Sequence, residues 1–499
     1  MSIPLTISKR ITAFRAASLS AACLLTFGSW SFSAGAIDRS QKPSPGPAPE
    51  AAFPDFTTKV LPNGLKVFVI TDDRKPSVTF RLLIKGGALY DGEKAGLSGF
   101  VATLLNRGTK TRDAMTFAQE SDFIGSIVEA ASGADALSIG AGGLTKYTDK
   151  ILDLMVDATL NPTFPEDQFA KEQKKALSAI AAEKQQPAQL AGKVAAKVVY
   201  GTEHPYGHYR TEESVAAITR DDLVKYRDTW FVPNNATLAI VGDVQPDEII
   251  ARVEKAFAAW QQKEVPVMKF DEAPKMEGLT VHLVDRPGSV QSNIIVTHPG
   301  PARNNPDTPE INVMNATLGG GFSGRLFQNL RERHGWTYGA YSAFDLQKLA
   351  GDFSANAETR NEVTAPAIQE TLSEIKRLQD EPVPDAELEL QREYNVGNYL
   401  LSLENAGRTA QRVQDIELYG LAPDFYKRYA KRMATTTASQ VMELARHYLS
   451  VENVAIVVVG EAKQIQPELE KIGKVIVYGQ DLKPRTGAEN PKGEAPPSK

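Results

Sequence analysis

Residues 317–342 read TLGGGFSGRLFQNLRERHGWTYGAYS, a loop, a helix, a stop and a strand in one short span. Gly319, Gly320 and Gly321 open it. Behind them Leu326, Phe327 and Leu330 share one stripe at helical spacing, with Ser323 placed to cap the start and Gly335 to end the helix. The aromatic and small residues after Gly335 read as a strand. Arg331 therefore falls in the last helical turn and Tyr338 just past the turn, so one fold-back aims both at one point. Taken alone, an Arg on a helix is a solvated charge and a Tyr on a strand is core. The rest of the chain changes that weighting.

Working outward, the chain repeats itself. Gly64-Leu65-Lys66-Val67 opens an alternating strand, and Gly278-Leu279-Thr280-Val281 opens another 214 positions later. Ala239-Ile240-Val241-Gly242-Asp243 is echoed by Val457-Val458-Val459-Gly460-Glu461, 218 positions on. Each echo follows a helical pattern ending in an aromatic pair or near-pair, Trp230-Phe231 and Tyr448-Leu449. A near-constant offset at both ends means a duplicated unit of roughly two hundred residues. Within each copy strands come first, then helices, then a buried apolar strand. That order predicts an α+β fold of two homologous halves, each a β-sheet with helices packed on it. The halves span residues 56–262 and 279–481, with a connector at 263–278.

The ends read differently. Lys9, Arg10 and Arg15 precede the apolar run Ala16–Phe32, and Ala34-Gly35-Ala36 offers a small-x-small cleavage site. Residues 1–36 are thus expected to be a secretory signal peptide, with an uncleaved or lipidated anchor as the alternative. The sole cysteine, Cys23, lies inside that segment, so a cleaved chain carries no thiol for disulfide, metal or nucleophile. Residues 37–55 read as a Pro- and Ala-rich tether, and residues 482–499 as a disordered tail. At 499 residues, 42% hydrophobic and 23% charged, the chain can bury large cores. A net charge of −5 argues against nucleic acid or an anionic membrane as partner. No later stretch is long and apolar enough to span a bilayer. The expected location is the periplasm.

Five stretches, in order, resemble the pitrilysin/insulinase family of inverted-zincin metallopeptidases, which includes the mitochondrial processing peptidase. They are LPNGLKVFV (61–69), GLSGFVATLLNRGT (96–109), EHPYGH (203–208), DRPGSVQSNI (285–294) and LGGGFSGRLFQNLRERHGWTYG (318–339). The resemblance implies two halves facing each other around a chamber. Catalytic members carry H-x-x-E-H on a helix, two zinc ligands flanking a general base. The matching helix here, 97–107, has Gly99, Ala102 and Thr103 at those positions, and Ala179 stands where the third ligand would be. Gly and Ala offer no donor atom, and Thr is a poor zinc ligand. No zinc or other cofactor is therefore expected in this chain. The strand that binds peptide in the family matches Ile127-Val128-Glu129-Ala130, with Glu129 where Asn is usual.

The second half keeps its feature. Family members place an Arg and a Tyr seven residues apart, and Arg331 and Tyr338 match that spacing. A phenol can hydrogen-bond a tetrahedral oxyanion, and a guanidinium can clamp a neighbouring carbonyl. By resemblance Gly319–Gly321 contact substrate; a tight helix entry is their other reading. His204 and His208 sit four apart, but Pro205 and Gly207 between them oppose a shared helical face.

Three functions follow as expectations. The first is a zinc-free, non-catalytic subunit of a heteromeric metallopeptidase, inactive alone. It would supply Arg331 and Tyr338 in trans to a homologous zinc-binding subunit, in a heterodimer or a dimer of heterodimers. The second is a catalytically dead scaffold or peptide-binding protein of the same fold. The third is an independent metallopeptidase with unrecognised ligands such as His204 and His208.

Overall fold

The computed structural model describes residues 53–485. The expected signal peptide, most of the tether and residues 486–499 of the tail lie outside the described residues.

Two six-stranded sheets form the frame. The first contains β1 (Thr57–Val60), β2 (Lys66–Thr71), β3 (Ser77–Ile84), β4 (Glu129–Ser132), β5 (Leu137–Leu144) and β6 (Ala236–Gly242) in the order β1-β2-β6-β3-β5-β4. The second contains β7 (Leu279–Asp285), β8 (Gln291–Gly300), β9 (Thr337–Asp345), β10 (Gly351–Arg360), β11 (Val454–Gly460) and β12 (Lys474–Tyr478) in the order β12-β7-β11-β8-β10-β9. The five strands β2-β6-β3-β5-β4 therefore repeat as β7-β11-β8-β10-β9. Only the outer strand differs, with β1 antiparallel to β2 and β12 parallel to β7. The mixed sheets with helices packed on them are the α+β halves the sequence predicts. Gly64 and Gly278, which open the corresponding strands, both take positive φ, +86° and +73°.

The paired strands β6 (ATLAIVG) and β11 (VAIVVVG) are buried at every position. A strand reads as a continuous apolar run when both faces are covered. One face of each sheet meets helices of its own half. The other face is covered by a helix from the opposite half. The Pro187–Tyr200 helix lays Leu190, Ala191, Val194 and Ala195 on Val284, Ile295, Val457 and Val459 of the second sheet. Reciprocally, the Ala406–Tyr419 helix lies on β6 and β3, and Ala410 and Val413 share a core with Phe68, Ile70, Ala239 and Val241. Lys66 and Lys85 both pair with Glu417 of that helix, at 2.8 and 3.4 Å.

Two sequence boundaries move. The last residues of the tether are part of the fold, because Phe53 is 2% exposed and packs on Tyr426 at 5.4 Å between ring centroids. The tail starts later than residue 482. Leu482 packs against the Leu190 cluster, and Arg485 pairs with Asp285 at 2.9 Å and donates its N–H to Val477 O at 2.8 Å. Residues 261–277 form neither helix nor strand.

Candidate functional site

The Leu97–Leu104 helix is positioned from below by Asp91, whose carboxylate accepts from Gly96 N at 2.9 Å and Ser98 N at 2.8 Å. Burial pushes that carboxyl up to about 6 despite these donors. Phe100, Val101 and Leu104 face the core, as their spacing predicts. Gly99 and Thr103 line a cavity of about 440 Å³, and Ala179 of the Glu166–Glu183 helix lines it from across. Ala102 does not join them. It is 4% exposed and belongs to the first half's apolar core, so the helix presents two of its three motif positions to the cavity.

The cavity's donors do not fit a zinc ion. Thr103 Oγ1 is spent on the helix, donating to Gly99 O at 2.9 Å. Glu172 also lines the cavity but pairs with Lys175 at 3.3 Å. Glu183 is held between Lys193 at 2.9 Å and Arg210 at 2.6 Å. Among the described residues no group of three or more His, Cys, Asp or Glu side chains is placed to hold a metal. His204 and His208 are divided by their surroundings. His204 is 2% exposed, stacks on Tyr200 and accepts from Tyr206 N, and burial lowers its pKa. His208 is exposed and bonds the Thr202 carbonyl at 2.8 Å. Glu129, at the start of edge strand β4, is exposed.

In the second half, the helix the sequence predicts forms as a π-helical segment, Phe327–Arg333, a winding often found at functional sites. Leu326 and Leu330 are buried, each 1% exposed. Gly335 stops the helix with φ +62°. Ser323 does not cap it; its hydroxyl accepts from Gln391 Nε2 at 3.1 Å. Arg331 and Tyr338 come together across the turn, the guanidinium carbon 5.7 Å from the phenol ring centroid. Tyr338 is 86% exposed, although a strand Tyr ordinarily packs inward. Among the described residues Arg331 has no carboxylate within ion-pairing distance, and no hydrogen bond or ring contact joins either side chain to the first-half cavity.

The three glycines differ. A Cβ on Gly319 would lie 2.7 Å from Ser342 N, and one on Gly320 would lie 2.8 Å from Ala316 Cα. Both are therefore close-approach positions: Gly319 seats the loop on β9, where Ser342 N donates to Gly319 O at 2.8 Å, and Gly320 packs on the end of the Thr308–Leu318 helix. Only Gly321 has room, with Tyr394 Oη 3.4 Å from where its Cβ would be. The sequence reading passed over the neighbouring Phe322, which is 71% exposed. A large aromatic inside a glycine loop was the available signal.

The arrangement lines the first-half cavity with Asp91, Glu172 and His208 beside the motif positions. In the second half it offers a guanidinium and a phenol to a carbonyl or an oxyanion.

Two family models match the chain: insulinase (peptidase family M16) over residues 66–205, and the peptidase M16 inactive domain over residues 217–395. An uncharacterised zinc protease of Bacillus subtilis, YmxG, is 26% identical over 356 residues, covering 70% of this chain and 85% of that protein. An uncharacterised zinc protease of Mycobacterium leprae is 26% identical over 397 residues, covering 78% and 88%. Among solved structures, a peptidase M16 inactive domain from Pseudomonas fluorescens superposes with TM-score 0.76 at 24% identity, covering 81% of this chain and 98% of that one. The periplasmic protease PqqL from Escherichia coli gives 0.71 at 14% identity, covering 82% of this chain and 46% of that one.

Proposed function

The chain belongs to peptidase family M16, the insulinase family, and from that premise we propose that it is the zinc-free subunit of a two-chain metallopeptidase. The observation that carries this reading is the pairing of an exposed, uncompensated Arg331–Tyr338 couple with a motif helix that has no ligand to offer. A scaffold gains nothing from an Arg held beside an exposed phenol. An independent peptidase needs donors that Gly99, Ala102, Thr103 and Ala179 lack.

A homologous partner supplies the metal, which polarises the scissile carbonyl when bound there. This chain's part is narrower. Arg331 fixes a backbone carbonyl or terminal carboxylate of the peptide with its forked donors, which holds the scissile bond in place. Tyr338 O–H donates to the oxygen on which negative charge develops. The chain's own cavity takes no part in bond cleavage. Residues 1–36 read as a signal peptide, and no helix among the described residues is long and apolar enough to cross a membrane, which supports an exported, periplasmic complex.

The test is purification from the native host, followed by reconstitution. A zinc-binding homologue should co-purify. Tyr338→Phe should cut kcat of the reconstituted pair about 10²-fold or more with assembly intact, the usual cost of one oxyanion donor. Arg331→Ala should raise KM as well. If both variants keep full activity, the role in trans is wrong.

A further inference from the structure

The segment that carries Arg331 is wound differently from its counterpart in the first half. Strand β4 corresponds to β9, and the helix before β4, Ala114–Phe123, is α-helical, with Phe117, Ser121 and Ile124 buried at spacings of four and three. Both segments run into a glycine at φ +62°, Gly125 and Gly335. The Phe327–Arg333 segment is π-helical instead, and His334 N donates to Asn329 O, five residues back, at 3.1 Å. The fold accepts an α-helix at this place. The half that keeps the Arg–Tyr couple departs from it.

The departure redirects side chains. One extra residue in a turn rotates everything after it by about 100° relative to α winding. Continued at α spacing, the stripe of Leu326 and Leu330 would bring Arg333 inward. As wound, Arg331, Glu332 and Arg333 are all exposed.

Two buried polar pins fix this rotation. Arg325 forks onto Glu387 of the Asp385–Leu403 helix at 2.7 and 3.2 Å. Asn329, 2% exposed, spends both hydrogens of its Nδ2 on the Thr364–Asp380 helix, donating to Glu370 at 2.8 Å and to Glu374 at 2.7 Å. Six positions before the other glycine, the first half has Gln119, which is exposed. For stability alone, an apolar side chain would fill position 329 at less cost than an amide between two carboxylates. Buried polar groups of this kind are best attested as devices that fix register.

We infer that Asn329 is a positioning residue: by pinning the π winding to Glu370 and Glu374, it sets the direction in which Arg331 leaves the helix and so holds the guanidinium beside Tyr338. It acts only through Arg331. This deepens the proposed role of the couple and rests on it.

The first test is a crystal structure of the full chain carrying Asn329→Leu, which keeps the volume and removes both donors. The helix should return to i→i+4 bonding and the guanidinium should leave the Tyr338 ring. In the reconstituted pair the same variant should raise KM about tenfold, since small misplacements act on that scale, and it should add nothing to KM in an Arg331→Ala background. Glu370→Ala removes one arm of the pin at a half-buried site. It should move both readouts the same way by less, and it decides the matter if the leucine variant does not fold. An unchanged winding with the couple in place overturns the inference. So does a KM effect that adds in full to that of Arg331→Ala, which would be damage to the fold rather than lost placement. If the guanidinium leaves the ring but neither Asn329→Leu nor Arg331→Ala alters turnover, the pin stands and the role in trans falls.

Discussion

Arg81 and Gln414, from opposite halves of the chain, hold each other twice. The guanidinium donates to Gln414 Oε1 at 2.6 Å, and Gln414 Nε2 donates back to the main-chain oxygen of Arg81 at 2.8 Å. The same amide donates to Thr237 O at 2.9 Å. Gln414 is fully buried, and Arg81 is desolvated enough that its pKa falls. Gln414→Leu keeps the volume and strips the guanidinium of this partner. The expected loss is about 2–4 kcal/mol of unfolding free energy, read from urea titration. A loss under about 1 kcal/mol would mean that the exchanged helix is held by apolar contact alone.

Asp352 of β10 accepts from Tyr200 Oη at 2.8 Å, and burial pushes its carboxyl up to about 6. A carboxyl raised in the folded state binds its proton more tightly there than in the unfolded chain. Its contribution is fully present below the unfolded value of about 4 and is lost as pH rises through about 6. Asp352→Asn should therefore stabilise the protein above pH 6, on the order of 2 kcal/mol, and change little at pH 4. Thermal melts of both proteins across that range decide it. Parallel curves would show that the shift is not there.

Gly319 and Gly321 should respond oppositely to alanine. Gly319→Ala drives a methyl to 2.7 Å from Ser342 N and should cost about 1–3 kcal/mol, whereas Gly321→Ala meets only the tip of Tyr394. Melting temperatures of the two variants measure the difference. Equal and small effects would mean that the loop is free of β9.

The motif positions can be refilled. A Cβ on Gly99 would meet nothing within 4 Å, and Thr103 and Ala179 already face the cavity. The triple change Gly99→His, Thr103→His and Ala179→Glu restores two imidazoles and a carboxylate, a donor set suited to zinc. Metal analysis after dialysis should find stoichiometric zinc in this variant. Failure to bind would mean that these positions do not converge, and the reading of the helix would fall with it.

The duplication of the sheets was legible because burial on two faces leaves an apolar run, and two such runs stood 218 positions apart with glycines at the same place. The identity of the covering layer was not. The Pro187–Tyr200 pattern says that one face is buried, but periodicity carries no label for what lies opposite. Ala102 was misplaced for a related reason. Spacing puts it near Gly99 and Thr103, but side chains on a narrow helix face divide between core and cavity within a few tens of degrees. Arg331 and Tyr338 could be paired from spacing and resemblance, yet their exposure, and that of Phe322, depends on how the loop seats against β9. Leu482–Arg485 were lost to composition, since one Leu and one Arg decide their docking.

The traded helices have a genealogical consequence. A single-copy ancestor would have had a bare sheet face and a helix with nowhere to lie, and a twin would have cured both defects at once. The 261–277 stretch, without helix or strand, then tethers what was already an obligate pair. Cutting that tether should leave two fragments travelling as one particle, while either fragment synthesised by itself would be missing its outer coat.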